Sequence, residues 1–272
     1  MKLKPVVFTD LDGTLLDLET YSYDKALPAI EHLGSQEVPI IFCSAKTRAE
    51  QEVYRKELQI NDPFIVENGG AVFIAQGYFP FDFEYHKAKD GYQVIELGIP
   101  YHRIRETLAQ IRIDTGVNFR GFGDMSVAEV ASLTGLVPEA AQRAKAREYD
   151  ETLNLEGTPD EIDRVLDAIK KADLNYTSGG RYYDVTGPND KGKATRILTD
   201  LFRSKLGQIE TIAIGDSPND LPMLSAVDIP VLVQKPGRIW EDMDIPHLRR
   251  MEGIGPEGWA RAAEEIVKQR MA

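Results

Sequence analysis

The sequence is poor in cysteine, in histidine and in positive charge. It has one cysteine, four histidines and 32 Lys or Arg against 44 Asp or Glu, so the formal net charge is −12 at pH 7. Cys43 alone cannot form an intrachain disulfide, and the histidines lack the spacing of zinc ligands. The acidic balance argues against a basic surface for nucleic acid, so we expect no nucleic-acid partner.

Long hydrophobic runs are also missing. No run is long enough to span a bilayer, and the opening stretch MKLKPVVFTD has too short an apolar run for a signal peptide. Hydrophobic residues at 42% and charged residues at 28% are typical of a soluble globular protein. We expect a cytoplasmic protein with no membrane partner, while oligomeric state is left open. The 272 residues suffice for one large domain or two moderate ones.

Apolar runs alternate with helical patterns in the order expected of a parallel β-sheet covered by helices. The fold class is therefore predicted to be α/β. Strands are predicted at 5–9, 38–43, 64–66, 211–214 and about 229–233. Helices are predicted at 24–33, 47–58, 191–202, 218–224 and 257–269.

A more polar segment interrupts this pattern. In it, Ser126 and Thr158 each precede a glutamate by three residues, which is the spacing of a helix capping box. We predict that 85–188 form a smaller inserted α+β domain, and that 1–84 and 189–272 together form the α/β core. A domain that closes over the strand tips of the core would exclude water from a site there.

Two carboxylates, Asp10 and Asp12, follow the first predicted strand in the stretch VVFTDLDGTLLD. Each raises the free energy of ionising the other unless a cation or hydrogen-bond donors lie between them. Ligands of open α/β sheets bind beyond the carboxyl ends of the strands. Further polar clusters fall at such positions: Ser44, the stretch NDKGK from Asn189, and the stretch GDSPND from Gly215. Together they predict one site.

These residue types favour phosphoryl transfer with a metal ion. Asp10, Asp12 and Asp216 offer the hard oxygen ligands that Mg²⁺ takes, and Asp220 is expected to support the metal indirectly. Asp10, nearest the strand, is the candidate nucleophile for an aspartyl-phosphate intermediate. Asp12 would protonate the leaving oxygen and then deprotonate the hydrolytic water. The Ser44 hydroxyl would hold phosphoryl oxygens.

Lys191 is expected to hold phosphoryl oxygens as well, but each motif also has an ordinary structural interpretation. Asp-Gly after a strand is most often a turn, and Ser44 alone would more often cap a helix. Lys191 alone would be a solvated cation, although the helix dipole does not favour one in a first turn. Because the motifs occur together at successive strand ends, the catalytic interpretation is favoured.

The stretches DLDGTL from Asp10 and GDSPND from Gly215, together with Ser44 and Lys191, resemble the four motifs of the haloacid dehalogenase superfamily of phosphatases. This resemblance implies a Rossmannoid core with a parallel sheet and Mg²⁺ as cofactor. The inserted domain is similar to the C2B-type cap of the sugar-phosphatase branch. In that branch the lysine of the third motif precedes a glycine, which favours Lys191 over Lys193.

Further stretches resemble the mannosyl-3-phosphoglycerate phosphatase family: KTRAE, ENGG, GFGDM, LTGL, REYDE and SGGR. The resemblance implies hydrolysis of a phosphorylated sugar, mannosyl-3-phosphoglycerate, to phosphate and the compatible solute mannosylglycerate. The phosphate and carboxylate of that substrate need cations, and its hydroxyls need mixed donors and acceptors. The residues expected to bind it are Lys46, Glu67, Asn68, Gly69, Arg147, Ser178, Gly179, Gly180, Arg181 and Asn219.

Three alternatives stay open. The nearest is a phosphatase for another sugar phosphate, of the sucrose, trehalose or glucosylglycerate type, or a phosphomutase of the same branch. A receiver-type signalling module also combines acidic residues, a hydroxyl and a lysine around Mg²⁺, but it is one small domain without an insertion. The third alternative is a binding protein without enzymatic activity.

Overall fold

The computed structural model describes residues 3–178 and 182–271. Its strands are β1 (Lys4–Thr9), β2 (Ile40–Phe42), β3 (Phe64–Val66), β4 (Ala71–Ala75), β5 (Lys87–Lys89), β6 (Tyr92–Glu96), β7 (Arg120–Gly121), β8 (Asp150–Asn154), β9 (Asn175–Ser178), β10 (Tyr183–Thr186), β11 (Ile209–Gly215), β12 (Ile229–Gln234) and β13 (Arg249–Ile254). Its helices are α1 (Leu27–Ser35), α2 (Arg48–Glu57), α3 (Tyr101–Thr115), α4 (Val127–Thr134), α5 (Pro138–Ala144), α6 (Pro159–Lys171), α7 (Lys191–Leu206), α8 (Leu221–Leu224) and α9 (Pro256–Met271). None of the helices described is long and apolar enough to cross a membrane.

A parallel sheet with the strand order β13-β12-β11-β1-β2 forms the centre of the core in the described residues. Its β1 is buried on both faces, as expected of a sheet covered by helices. Val7 packs in a cluster with residues of α1 and α9 on one face. Val6 and Phe8 pack with residues of α7 and α8 on the other. The predicted α/β fold is confirmed.

The strand β3 extends this layer and then turns away from it. Ile65 makes an isolated parallel bridge to the buried Cys43, just beyond β2. In the described residues β3 is also the first strand of an antiparallel sheet with the order β3-β4-β6-β5. Because β6 pairs with β4, residues 92–96 lie in a sheet that begins in the core.

The inserted segment has its own antiparallel sheet, with the order β7-β8-β10-β9 in the described residues. Helices α3 and α6 pack against it around Leu108, Val165 and Leu153. The structure therefore contains the predicted α+β insertion, which we call the cap. The domain bounds at 85 and 188 stay a prediction, since β5 and β6 lie in the sheet of β4, whereas the cap sheet begins at Arg120.

Several predicted elements have different bounds in the structure. The first helix begins at Leu27 because residues 24–26 form turns, and the Asp24 amide donates to the Ser22 hydroxyl at 3.1 Å. The predicted helix at 218–224 is a 3₁₀ turn, Pro218–Asp220, followed by α8. Both predicted capping boxes are present, at the starts of α4 and α6.

Candidate active site

The carboxyl ends of β1 and β11 bring three acidic side chains together. Asp10 follows β1, and its amide donates a hydrogen bond to the Ile214 carbonyl of β11 at 3.0 Å. Asp216 follows β11 directly, and Asp220 lies one 3₁₀ turn further on. Each of Asp10, Asp216 and Asp220 is buried, and each offers a carboxylate oxygen within 4.8 Å of the others. These are three of the predicted site residues.

Lys191, the first residue of α7, lies between two of these carboxylates. Its Nζ atom is 2.6 Å from Oδ1 of Asp10 and 2.7 Å from Oδ1 of Asp220, and its side chain is 1% exposed. Burial lowers its pKa, but the two carboxylates outweigh burial and hold the pKa above the ordinary value for lysine. Burial and the charge of Asp220 raise the pKa of Asp10. The ammonium therefore stays charged beside the predicted nucleophile.

Asp220 is held by protein groups on both carboxylate oxygens. Its Oδ2 atom accepts the backbone amides of Asp216 at 3.0 Å and Ser217 at 3.2 Å, while Oδ1 accepts from Lys191. Gly215 makes this approach possible, because a Cβ there would lie 2.6 Å from Oδ2 of Asp220. With its oxygens so engaged, Asp220 orients the loop and Lys191, and its indirect support of a metal stays a prediction.

The acidic cluster suits a hard divalent cation. Burial and then the charge of Asp220 raise the pKa of Asp216 to about 7. A bound cation would oppose both effects, and carboxylate oxygens are the ligands that Mg²⁺ takes. Asp10 and Asp216 are the members that fit direct coordination. The Thr14 hydroxyl, which donates to Oδ1 of Asp216 at 3.2 Å, helps to orient that carboxylate.

Asp12 lies beside this cluster, and its carboxylate is directed elsewhere. Its Oδ1 atom is 3.0 Å from Nζ of Lys46, which is also 3.7 Å from Oε1 of Glu50. The carboxylate of Asp12 is not part of the group that could share a metal in the described residues, although a metal role for Asp12 was expected. About a third of the Asp12 side chain is exposed, which suits proton exchange with a substrate or water.

Ser44 is buried at the end of β2, where the backbone fixes it. Its amide donates to the Ile65 carbonyl at 3.3 Å, and its carbonyl accepts from the Asn68 amide at 3.0 Å. The Ser44 hydroxyl accepts the Lys46 amide at 3.3 Å. The side chain that caps α2 belongs to Thr47, so the alternative interpretation of Ser44 as a helix cap is wrong.

Glu67 and Gly69 are buried in contact with other parts of the protein rather than exposed in a cleft. The Glu67 carboxylate is fully buried and accepts backbone amides of the cap. Burial raises its pKa, although Arg147 and the amides act in the opposite direction. Gly69 has a φ of 86°, and a Cβ there would lie 2.2 Å from the Asp190 carbonyl oxygen. Their contacts are therefore structural, and differ from the predicted contacts to a substrate.

The other predicted substrate residues do not form a single cluster. The Arg147 side chain is 7% exposed, pairs with Asp150 and donates to the Ala45 carbonyl at 3.4 Å, so protein groups occupy its guanidinium. Asn68 and Asn219 approach each other at 3.4 Å between amide oxygen and nitrogen. Ser178 lies at the end of β9. Gly179, Gly180 and Arg181 are outside the described residues.

A cleft of about 580 Å³ separates β9 of the cap from the core loop that carries Asn219. Ser178 and Asn219 line it, and their contact with a substrate stays a prediction. Lys235 and Glu241 also line it, and sequence reasoning missed both. Lys235 directly follows β12, so the rule that ligands bind at carboxyl ends of parallel strands would have found it.

A family described as haloacid dehalogenase-like hydrolase matches residues 7–115 and 127–235 of the sequence. The chain belongs to this family. The family predicted from Asp10, Ser44, Lys191 and the GDSPND stretch is thereby confirmed. This hydrolase family also accounts for the arrangement of a parallel core with an inserted cap.

Curated relatives of this haloacid dehalogenase-like hydrolase cover most of its length. It is 49% identical over 266 residues to the glucosyl-3-phosphoglycerate/mannosyl-3-phosphoglycerate phosphatase of Methanococcoides burtonii, covering 97% of this chain and 98% of that protein. It is 45% identical over 223 residues to the mannosyl-3-phosphoglycerate phosphatase of Pyrococcus horikoshii, covering 82% and 88%. The sucrose-phosphatase of Synechocystis, solved with sucrose and phosphate, shares the fold at a TM-score of 0.61 and 16% identity, covering 98% and 99%.

Proposed function

We propose that the protein is a Mg²⁺-dependent phosphatase that hydrolyses mannosyl-3-phosphoglycerate to mannosylglycerate and phosphate. The observation that carries the reaction class is the Lys191 ammonium held within 2.7 Å of both Asp10 and Asp220 at the strand tips. The substrate is proposed from the similarity over 97% of the chain to the Methanococcoides burtonii phosphatase. The name of that relative also favours the glucosyl analogue as a second substrate.

In the first step, a carboxylate oxygen of Asp10 attacks phosphorus and the bond from phosphorus to the leaving oxygen breaks. Asp12 gives its proton to that oxygen, so the alcohol leaves neutral. Ser44 and Lys191 bind the non-bridging oxygens and stabilise their charge. In the second step, Asp12 takes a proton from water, which attacks the phosphoryl group and releases Asp10 and phosphate.

Asp10 and Asp216 would hold the metal ion, which supplies positive charge to the phosphoryl oxygens when bound. In this structure the Lys46 ammonium forms an ion pair with the Asp12 carboxylate. An anionic group of the substrate near Lys46 would compete for that ammonium and free the Asp12 carboxylate for its proton transfers. The cleft between Ser178 and Asn219 is the proposed place for the sugar.

The test is phosphate release from a panel of monoesters with Mg²⁺ present. The panel contains mannosyl- and glucosyl-3-phosphoglycerate, sucrose 6-phosphate, trehalose 6-phosphate and a hexose 1-phosphate. We expect the highest kcat/KM for the first, and free phosphate as the product. A preference for another sugar phosphate overturns the proposed substrate, and an isomeric sugar phosphate as product indicates a mutase. Asp10→Asn is the inactive control.

A further inference from the structure

The carboxylate of Glu67 is bound by three successive amides of the cap. The amides of Glu148, Tyr149 and Asp150 donate to it at 3.0, 2.6 and 2.9 Å. Converging backbone N–H groups form a concave site that suits an anion, and here the anion is a side chain of the core. Removing the carboxylate would leave buried donors without partners, so the contact strongly favours one placement of the cap.

The backbone around Glu67 is tied to the catalytic side of the core. The Glu67 amide donates to the Lys46 carbonyl at 3.2 Å, and the next amide, of Asn68, donates to the Ser44 carbonyl at 3.0 Å. The side-chain amide of Asn189, two residues before Lys191, donates to the Asn68 carbonyl at 3.2 Å. The residue that holds the cap is therefore fixed directly to the loops that carry catalytic groups.

The conformation of this loop is an uncommon one for its residue types. Glu67 has a φ of 48° and Asn68 has a φ of 54°, so two consecutive residues other than glycine are left-handed. Such a conformation is costly and persists only where the surroundings hold it. The bonds to Ser44, Lys46 and the cap amides are those surroundings.

Arg147 provides a parallel tie from the cap side. Its guanidinium donates to the Ala45 carbonyl at 3.4 Å and pairs with Asp150, whose amide is one of the donors to Glu67. The contact of Arg147 with Ala45 reaches the loop that follows β2, and the contact of the Asp150 amide with Glu67 reaches the loop that follows β3. Together they fix the position of the cap against both loops.

We propose that Glu67 is a positioning residue that aligns the cap with the loops that carry Ser44 and Lys191. This alignment sets how well a substrate that extends into the cap is held for attack by Asp10. A small phosphate ester that ends before the cap needs no such alignment. The choice of a glycosyl phosphoglycerate as the extended substrate rests on the proposed function. The alignment itself rests on the hydrogen bonds of Glu67.

The test compares Glu67→Gln with the wild type on two substrates, mannosyl-3-phosphoglycerate and p-nitrophenyl phosphate. Glutamine keeps the size of the side chain but has one acceptor oxygen and turns an NH₂ group toward the amide donors. We expect kcat/KM for the sugar substrate to fall on the order of tenfold to a hundredfold, largely through KM, with little change for the small ester. An equal loss on both substrates indicates general damage to the fold and overturns the proposal.

Glu96→Gln is the matched control. Glu96, at the end of β6, also accepts a hydrogen bond from Tyr149 of the cap. Its carboxylate lies 2.7 Å from the Tyr149 hydroxyl, whereas the Glu67 carboxylate accepts the Tyr149 amide. We expect Glu96→Gln to leave the ratio of the two kcat/KM values unchanged. A change as large as that of Glu67→Gln would show that any carboxylate of the junction has this effect, and would contradict a specific role for Glu67.

Amide hydrogen exchange gives a readout that needs no substrate. In Glu67→Gln we expect faster exchange at 148–150 and unchanged exchange in β11, whereas Glu96→Gln should leave both unchanged. Should Glu67→Gln fail to fold, Glu67→Asp carries the same comparison, and its retained charge should give a partial effect. If the wild type does not prefer the sugar substrate, the proposed function fails, and unchanged exchange at 148–150 would separately overturn the role of Glu67.

Discussion

At the scale of single residues, the site depends on one buried ammonium between two carboxylates. Lys191 is charged because Asp10 and Asp220 compensate for its burial. Removing one partner of such a buried group leaves the others uncompensated, which is far more damaging than the loss of a surface ion pair. The nearby Lys193 pairs with Asp190 at 3.7 Å and is half exposed, so the same substitution there should have little effect.

We expect Lys191→Met to lower kcat on the order of a hundredfold to a thousandfold, because a preorganised donor to the phosphoryl oxygens is lost. Phosphate release under saturating substrate measures the change. Lys193→Met is the matched control on the same helix, and should keep kcat close to the wild-type value. Similar losses in the two variants would contradict the assignment of the third motif to Lys191.

Asp12→Asn should slow turnover on the order of a hundredfold to ten-thousandfold, because asparagine can neither give nor take a proton. With p-nitrophenyl phosphate the leaving group needs little protonation, so the first step should survive while hydrolysis of the aspartyl phosphate stalls. Rapid mixing should then show a burst of nitrophenolate before a slow steady state. A steady state without a burst would argue against the second role of Asp12.

At the scale of elements, the cap depends on a network of charges around Asp124. Arg112 lies 2.8 Å from its Oδ2 atom, Arg105 pairs with its other oxygen, and the Gly121 amide donates to Oδ2 at 3.0 Å. Burial would raise the pKa of Asp124, but these donors outweigh it and hold the pKa well below the usual range. The carboxylate therefore joins α3 to the residues that follow β7.

The stability of the cap should consequently depend on Asp124 at neutral pH and much less in acid. Because the pKa in the folded state is depressed, the contribution is complete above the unfolded value of about 4 and is lost as the pH falls through the folded value. We expect Asp124→Asn to lower the free energy of unfolding by about 1 kcal/mol at pH 7. Denaturant titrations at pH 7 and at about pH 3 should show this difference shrinking in acid. A difference that grows in acid would contradict the ion-pair explanation.

The elements also show which features the sequence could predict. β1, β2, the start of α7 and the loop after β11 are governed by local apolar runs and by residue types at element ends, so Asp10, Ser44, Lys191 and Asp216 were predicted at one edge of the sheet. The contact of Glu67 with the Tyr149 amide joins residues 82 positions apart, and no local pattern encodes it. Residue type alone suggested sugar binding for this glutamate, whereas tertiary structure gives it the amides of the cap.

At the scale of the whole molecule, we expect stability to respond to a divalent cation through the cluster of Asp10, Asp216 and Asp220. A ligand that binds the native cluster and not the unfolded chain stabilises by mass action. We expect EDTA to abolish activity, added Mg²⁺ to restore it, and Mg²⁺ to raise the melting temperature of the metal-free protein. Asp216→Asn should lose most of this thermal shift. Activity that persists in EDTA would contradict the metal role.

The one thiol of the chain lies where core and catalytic site meet. Cys43 is fully buried between β2 and Ser44, and its backbone forms an isolated parallel β-bridge with Ile65. Burial raises the pKa of its thiol to about 12. The Cys43 side chain packs in the apolar cluster that includes α7, so a thiol reagent can reach it only after this part of the native protein opens, and the labelling rate measures how often that happens. A phosphate analogue bound at the strand tips should slow labelling, which turns Cys43 into an intrinsic reporter of site occupancy.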